Sequence, residues 1–309
     1  MIDTLPPKFC LVVALIVLLF APELRAQVTV RSDGVVQVNG RSFFPYGFYT
    51  DEKNDKKAMF NHAKITGEAG FNVLHIETIN NDPLDSIFKL AALNNQHVIY
   101  GPSKYMVQYD GPTALHLVYD KVKNQPSLLG YNVGDDVNDG EMVGYPSSVA
   151  DVKALHDDVN RYDPNHITMV ALGGPGGQID VFSAKRFDAG AQEVYPVNGG
   201  SEINLVYQSS SAIVENAIKW KQSPWVALQT FNWNTNPNQR MPTFKEYYNM
   251  LYQSIAAGAK GVLLYSYHVE DLGANSDPNL WNGIKSTVPE INKIKPFITD
   301  GKFTKTELG

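Results

Sequence analysis

The amino-acid sequence predicts a single α/β domain, a (β/α)8 TIM barrel preceded by a short N-terminal β-hairpin. Three observations support this fold class. Eight short runs rich in β-branched and aromatic residues occur along the chain, helical patterns separate most of them, and no linker divides the sequence. Once a predicted signal is set aside, about 280 residues remain, and a barrel of this class typically takes about 250.

The predicted hairpin comes first along the chain. Val28–Val30 and Val35–Val38 are short apolar runs, and the Asp33-Gly34 pair between them is typical of a tight turn. We therefore expect two antiparallel strands ahead of the barrel.

Eight strand candidates follow, each short enough to be a buried parallel strand. They are Phe43–Tyr49, Asn72–Glu77, His97–Gly101, Leu128–Gly134, His166–Ala171, Ala191–Val197, Trp225–Phe231 and Gly261–Tyr267. Helical patterns lie between them at Lys56–Ala69, Pro83–Asn94, Pro112–Asn124, Ser147–Tyr162, Glu202–Lys221 and Thr243–Ala257, with a last one at Asn279–Phe297. The fifth connection, Gly173–Arg186, has no helical period, and its run of glycines predicts a loop.

The order of these elements favours a closed barrel. Strands that alternate with helices imply a parallel sheet, and an eightfold repeat points to closure rather than to an open sheet. The glycine run Gly173–Gly177 has neither the spacing of a dinucleotide fingerprint nor the lysine of a nucleoside-triphosphate loop. The sequence therefore predicts no nucleotide cofactor, and we expect none of any other kind.

Residues 1–26 have the pattern of a secretory signal peptide, so we expect residues 27–309 to form the mature, secreted or periplasmic domain. The apolar run Phe9–Phe20 is shorter than the ~20 residues that span a bilayer, and no later run is long enough. We therefore expect no membrane association after the signal is removed. Cys10, the only cysteine, lies inside the signal, which excludes a disulfide or a nucleophilic thiol from the mature chain.

Composition indicates a neutral partner. The formal net charge is −6 and basic residues are scattered, which is not the pattern of a nucleic-acid-binding protein. Aromatic residues make up 11% of the chain, which suits stacking on sugar rings and equally suits a well-packed core. The oligomeric state is left open by these features.

Functional residues of such a barrel are expected where strands end, because the loops at the carboxyl ends line one mouth. The strand ends supply acids, amides and aromatic side chains. They are Tyr46, Phe48, Tyr49, Asp51, His75, Glu77, Ser103, Lys104, Asp135, Asp136, Asp139, Glu193, Tyr195, Gln229, Asn232, Trp233, Tyr265, Tyr267, His268, Glu270 and Asp271. Paired carboxyl groups beside aromatic and amide groups are what glycoside hydrolysis requires.

Several segments resemble the glycoside hydrolase superfamily of (β/α)8 barrels. Leu128–Val137 is similar to the fourth-strand motif of those proteins, commonly written Leu-Gly-Trp-Tyr-x-x-Asp-Glu-Pro. Weaker similarities occur at Val35–Phe48, Gly70–Val73, Glu193–Val197, Pro224–Trp233 and Tyr252–Tyr267, so the resemblance extends over nearly the whole mature chain. It implies a glycosidase that acts on a poly- or oligosaccharide by acid and base chemistry of two carboxyl groups.

The resemblance places Asp136 at the position of the catalytic glutamate, with Asp135 before it. Successive strand residues face opposite sides of a sheet, so we expect only one of the two to address the pocket. We predict Asp136 as the proton donor, with Asp139 as a spare candidate. A structural role for these acids, as caps of the following loop, stays open.

The second carboxyl group is predicted on the sixth strand. In the commonest retaining clan the nucleophile is a glutamate that ends strand seven, but Leu228–Trp233 contains no acid. Glu193 is the best substitute, followed by Glu77 and Glu270. A purely structural role stays open for each, because barrel mouths also hold structural acids.

The remaining candidates are expected to bind substrate. The aromatic rings suited to sugar stacking are Trp233, Tyr49, Tyr195 and Tyr267, and the amides suited to hydroxyl groups are Gln229 and Asn232. The candidates with an acid, base or amine function are His268, Glu77 and Lys104. His75, like His268, is a candidate acid–base group, but it is not a predicted substrate contact. Core packing or backbone hydrogen bonding would explain the aromatics and amides as well. No metal site is expected, since no coordinating spacing occurs.

Two function classes remain. The first is a secreted glycosidase with Asp136 as general acid and Glu193 as nucleophile or base. The second is a degenerate barrel that binds carbohydrate without hydrolysing it, suggested by the acid missing from strand seven.

Overall fold

The computed structural model describes residues 26–50, 56–78, 84–102, 111–137, 149–173, 187–268 and 272–301. The predicted signal lies outside these residues, apart from Ala26. None of the helices within the described ranges is both long enough and apolar enough to cross a membrane.

The chain begins with a small antiparallel sheet of β1 (Val28–Val30), β2 (Val36–Val38) and β3 (Arg41–Phe43). The predicted hairpin is confirmed, since β1 pairs with β2 in antiparallel register. Its turn contains Gly34 at φ +83°, a backbone conformation that glycine adopts at little cost. A third strand was not predicted. Phe43, expected to start the barrel, ends β3 instead.

Eight parallel strands form a closed barrel, which confirms the predicted fold. The strands are β4 (Tyr46–Thr50), β5 (Val73–Thr78), β6 (His97–Pro102), β7 (Leu128–Val137), β8 (Ile167–Leu172), β9 (Ala189–Val194), β10 (Ser223–Gln229) and β11 (Gly261–Tyr265). Each strand pairs with its neighbours in sequence, and β11 pairs with β4 to close the cylinder.

Helices lie between the strands. They are α1 (Lys56–Glu68), α2 (Leu84–Leu93), α3 (Gly111–Val122), α4 (Val149–Tyr162), α5 (Pro196–Gly199), α6 (Leu205–Lys219), α7 (Phe244–Ala257) and α8 (Pro278–Asp300). The short helix α5 was not predicted. It begins at Pro196, a residue favoured at the first position of a helix, and so β9 ends three residues before the predicted end of strand six. Most of the fifth connection, residues 174–186, lies outside the described residues.

The side chains form two apolar layers. The larger layer lies between the strands and the surrounding helices, and the smaller one fills the barrel. Ala26, Val28 and Val36 belong to the inner layer, and the amide of Val28 donates to the carbonyl of Asn165, just before β8. The N-terminal sheet therefore covers the end of the barrel where the strands begin, and the opposite end holds the candidate site.

Candidate active site

The end of β7 is irregular where the two aspartates lie. Gly134 is in register with Val170 and Val137 with Leu172, so three steps along β7 match two along β8. The extra residue makes a β-bulge at Asp135 and Asp136, and Asp136 has a φ of +50°. Bulges re-aim side chains and are common beside active sites.

Glu193 lies on the inner face of β9. Ala189 and Ala191, which share its side of the strand, both pack in the barrel interior. By strand alternation Glu193 continues that row towards the mouth, where its side chain is partly buried.

The carboxyl groups of Asp136 and Glu193 are hydrogen-bonded to each other. Burial raises the pKa of Glu193 well above its ordinary value of 4.5, and the negative charges of Asp135 and Asp136 act in the same direction. The hydrogen bond with Asp136 raises this pKa further. Since two ionised carboxylates have no proton to donate, one of the pair must be protonated, and these effects assign the proton to Glu193.

The negative charges of both aspartates raise the pKa of Glu193. The extra residue of the bulge interrupts the strand alternation here, so alternation does not fix which of the two side chains faces the pocket. Gly173, at the end of β8, fits closely against this turn. A β-carbon at position 173 would lie 3.3 Å from both the Cα and the carbonyl oxygen of Asp136.

An aromatic wall adjoins the carboxyl pair. We use this name for Tyr195, Phe231, Trp233 and Tyr265. The hydroxyl of Tyr195 hydrogen-bonds Glu193 and lowers its pKa, in opposition to the other effects, while its ring stacks on Tyr265 at 5.9 Å. Trp233 meets Tyr195 edge-on at 5.9 Å and is 46% exposed. Partly buried and exposed rings thus lead outward from Glu193.

The interior beneath the mouth contains a buried polar contact. His75 Nε2 lies 3.0 Å from the side-chain nitrogen of Asn132, and the ring of His75 packs 4.2 Å from that of Tyr49. Burial lowers the pKa of His75 to about 3. The imidazole is therefore neutral near pH 7, with Nε2 accepting a hydrogen bond from Asn132. Tyr49, predicted to bind substrate, is 5% exposed and belongs to this interior layer.

Two of the predicted amides bond to the backbone. The side-chain oxygen of Gln229 accepts from the amides of Val197 and Asn198, and its nitrogen donates to the carbonyl of Phe231. Gln229 is fully buried, so its hydrogen bonds hold the start of α5 against β10 rather than facing the mouth. Asn232 accepts from the amide of Asn234 through its side-chain oxygen.

Tyr267 and His268 lie apart from the carboxyl pair. The ring of Tyr267 packs between the barrel and its helices, 5.8 Å from Phe48 and 5.0 Å from Trp281. His268 lies 5.0 Å from the ring of His62 on α1. The physical reason is that β11 ends at Tyr265, so strand alternation no longer controls where Tyr267 points.

Some predicted residues fall outside the described structure. They are Asp51, Ser103, Lys104, Asp139, Glu270 and Asp271, together with the side chain of Glu77 at the end of β5. Within the part of the chain that is described, no group of three or more histidine, cysteine, aspartate and glutamate side chains is arranged to hold a metal ion.

Asn132 lies near the site and was not selected from the sequence. It falls inside the fourth-strand motif, but its contact with His75 joins β7 to β5 and is encoded by neither segment alone. Tyr265 was among the strand-end residues without an assigned role, and its position two residues after the interior Leu263 was the signal that could have given it one.

No protein-family model matches the chain, and no curated protein matches it either. Solved structures do match. A glycoside hydrolase matches with a TM-score of 0.65 and 15% identity over 90% of this chain and 76% of that one. An endocellulase from Pyrococcus horikoshii, in complex with cellotetraose, matches with a TM-score of 0.60 and 10% identity over 87% of this chain and 99% of that one.

A β-galactosidase from the psychrophilic Marinomonas ef1 also matches, with a TM-score of 0.61 and 9% identity over 81% of this chain and 60% of that one. Identities this low carry information about the fold alone. The chain therefore has the eight-stranded parallel barrel fold found in these glycoside hydrolases.

Proposed function

We propose that this protein is a glycoside hydrolase in which Glu193 is the general acid. This reverses the role that the sequence suggested for Glu193, which was nucleophile or base. The observation that carries the proposal is the hydrogen-bonded carboxyl pair of Glu193 and Asp136, because it keeps a proton on Glu193. A carboxyl group with a raised pKa can donate that proton to a leaving oxygen near neutral pH.

The distance between Asp136 and Glu193 helps to decide which residue is the second catalytic carboxylate. Hydrogen-bonded oxygens lie ~2.5–3.0 Å apart. The two catalytic carboxyl groups are ~5–5.5 Å apart in retaining glycosidases and ~6.5–9.5 Å apart in inverting ones. Asp136 is therefore too close to Glu193 to attack a sugar lying between them, unless the pair first separates.

Asp135 is the other carboxylate that acts on Glu193, and it does so through its negative charge. We assign Asp135 as the nucleophile or base and Asp136 as the group that holds the proton on Glu193 before substrate enters. When the glycosidic oxygen binds, it replaces Asp136 as the acceptor of the Glu193 proton.

The surroundings of the pair support a carbohydrate substrate. Tyr195 and Tyr265 offer partly buried rings beside Glu193, and Trp233 offers an exposed one. Aromatic faces stack on the apolar faces of sugar rings, while the carboxyl groups and the tyrosine hydroxyl can bond sugar hydroxyl groups. The signal peptide predicted at residues 1–26 supports action outside the cytoplasm.

The test is to incubate the purified protein with a panel of polysaccharides and aryl glycosides and to measure new reducing ends or released phenol. Glu193→Gln and Asp135→Asn should each reduce turnover at least 1,000-fold, and Asp136→Asn should reduce it less. Glu202→Gln, at an exposed position, is the matched control. Asparagine suits position 136 because it tolerates a positive φ.

The anomeric form of the first product, followed by proton NMR, assigns Asp135 as nucleophile if configuration is retained and as base if it is inverted. Activity in Glu193→Gln equal to that of the unchanged protein would refute the proposal.

One observation favours a second candidate function, a barrel that binds carbohydrate without cleaving it. Gln229 ends β10, where the commonest retaining clan has its nucleophile, and its side chain bonds to the backbone only. The same panel separates the two functions. Binding without any new reducing ends, in a protein whose Glu193 is intact, would support the binder.

A further inference from the structure

Trp233 is an exposed aromatic residue of the aromatic wall. It lies on residues 230–243, which we call the Trp233 loop, between β10 and α7. Its side chain is 46% exposed, although its ring packs 5.0 Å from that of the fully buried Phe231. The ring therefore presents a solvent-accessible aromatic face, continuous with the rings beside Glu193, on which a ligand can stack.

The Trp233 loop is held in shape by its own hydrogen bonds. The amide of Asn232 donates to the carbonyl of Leu272, which joins the loop to the chain that follows β11. The amide and hydroxyl of Thr235 both donate to the side-chain oxygen of Gln239, each over 2.8 Å. A tryptophan on such a loop loses little conformational entropy when a ligand binds.

The far end of the loop is also fixed. Arg240 makes two hydrogen bonds to the carboxylate of Glu246, at 2.8 Å and 2.6 Å. Glu246 and Thr243 form a capping box at the start of α7. The arginine charge is thereby neutralised within the loop, so it is not presented to a ligand at Trp233.

The side chains that flank Trp233 in sequence are mostly polar, and none is charged. Residues 232–239 contain four asparagines, a threonine, a proline and a glutamine besides Trp233, and no charged side chain. An aromatic face flanked by amides matches the mixture of C–H faces and hydroxyl groups on a neutral sugar. An acidic sugar would require a cation, and this loop supplies only the paired Arg240.

We propose that Trp233 forms a separate sugar subsite, outward from the carboxyl pair, which takes a further unit of a neutral oligo- or polysaccharide. The edge-on contact of Trp233 with Tyr195, whose hydroxyl bonds Glu193, makes the subsite continuous with the site of cleavage. The inference rests on the proposed function for its substrate class, and it adds that the substrate extends past the bond that is cleaved. A single sugar on a small leaving group does not use this subsite.

Binding tests the subsite without turnover. In the Glu193→Gln background, affinity electrophoresis in gels containing hydroxyethylcellulose, laminarin or galactomannan measures the affinity for three neutral polysaccharides. We expect retardation by at least one of them. Trp233→Ala should weaken that affinity at least fivefold, and Trp233→Phe should weaken it less because a ring remains.

Phe297→Ala is the matched control, since Phe297 is an exposed ring on α8 with 76% of its surface accessible. It should leave retardation unchanged. Failure of all three polysaccharides to bind, equal binding by Trp233→Ala, or binding that requires Trp233 only in gels with anionic polygalacturonate would each overturn the subsite.

Activity supplies an independent readout. In the protein with Glu193 intact, Trp233→Ala should raise KM for the polysaccharide by a clearly larger factor than KM for an aryl monosaccharide. An equal loss on both substrates would overturn the subsite while leaving hydrolysis itself supported. Polysaccharide binding that depends on Trp233 in a protein without turnover would retain the subsite and refute the proposed hydrolysis.

Discussion

Asp136, at the bulged end of β7, and Glu193, on the inner face of β9, hydrogen-bond to each other at the mouth of the barrel. The contact has a consequence for both residues. It keeps a proton on Glu193, and it occupies Asp136 until another acceptor replaces it. The pair is thus a protonated acid held ready, which two separated and ionised carboxylates would not be.

Tyr195→Phe removes the hydroxyl that bonds Glu193 and lowers its pKa. The pKa of Glu193 should therefore rise, and the alkaline limb of kcat/KM against pH should move to higher pH, because the general acid must be protonated. We expect kcat/KM at the optimum to fall about tenfold, since a hydrogen bond to a charged group is worth ~1.5 kcal/mol. Rate profiles from pH 4 to 10 would measure both effects.

Tyr207→Phe, on the exposed side of α6, is the control for loss of a hydroxyl. An alkaline limb that stays in place, or moves to lower pH, would argue against Glu193 as the acid.

Glu193→Gln should stabilise the folded protein as well as inactivate it. The pKa of Glu193 is raised by folding, so its ionisation opposes the folded state. The unchanged protein should therefore lose stability relative to Glu193→Gln as pH rises above about 4.5, the ordinary value for this group, until the raised pKa is passed. Each kcal/mol corresponds to about 2–4 °C in Tm for a domain of this size.

Melting curves of both proteins from pH 4 to 8 would test this. The difference in Tm should grow with pH, while Glu202→Gln should follow the unchanged protein. A constant difference would mean that Glu193 does not titrate differently in the folded state.

The barrel was predictable because alternation of strands and helices is a local property of the sequence. The strand ends were predictable for the same reason, and they include Asp135, Asp136 and Glu193. Features that depend on the register between strands were not predictable from the sequence. The bulge at Asp135 and Asp136 arises from pairing between β7 and β8, which no single segment encodes.

The substrate-binding predictions failed where a side chain is already hydrogen-bonded by a distant segment, because the sequence does not show such partners. Gln229 has a residue type suited to binding hydroxyl groups, but α5 supplies two backbone amides that bond it. If β11 continued, Tyr265 and Tyr267 would point to the same face by strand alternation. The strand ends at Tyr265, so Tyr267 is not held on that face. Where a strand stops is among the least certain features of a sequence.

Asp163→Ala should destabilise the protein without changing its chemistry. Asp163 is buried just before β8, where it bonds His166 and the hydroxyl of Tyr131, each over 2.7 Å. Removing one member of a buried pair typically costs ~3–5 kcal/mol. Denaturant unfolding would measure the loss, and kcat of the folded fraction should stay the same because this end of the barrel is opposite the mouth.

Asp157→Asn provides the matched comparison. Asp157 pairs with Lys153 over 2.6 Å on an exposed face of α4, and such pairs contribute ~0–1 kcal/mol. Should Asp163→Ala fail to fold, Asp163→Asn keeps one hydrogen-bonding oxygen and should cost less. Equal unfolding free energies for the variants at positions 163 and 157 would contradict the assignment of Asp163 to the stability of the barrel.

His75 should remain neutral well below the pH at which histidine ordinarily takes up a proton. Burial lowers its pKa from 6.5 to about 3, so its ring proton signals should stay constant from pH 8 to pH 5. Loss of those signals in His75→Gln would assign them. An inflection near pH 6.5 would contradict the buried, neutral ring and its acceptance of a hydrogen bond from Asn132.

The same shift predicts a change in stability of opposite sign to that of Glu193. Between pH 6.5 and about 3 the unfolded chain binds a proton at His75 that the folded protein does not, so acid favours unfolding. The stability of the unchanged protein relative to His75→Gln should therefore fall as pH decreases through this range. Because Glu193 gains its proton on folding while His75 excludes one, the double variant should show a flatter dependence on pH than either single variant.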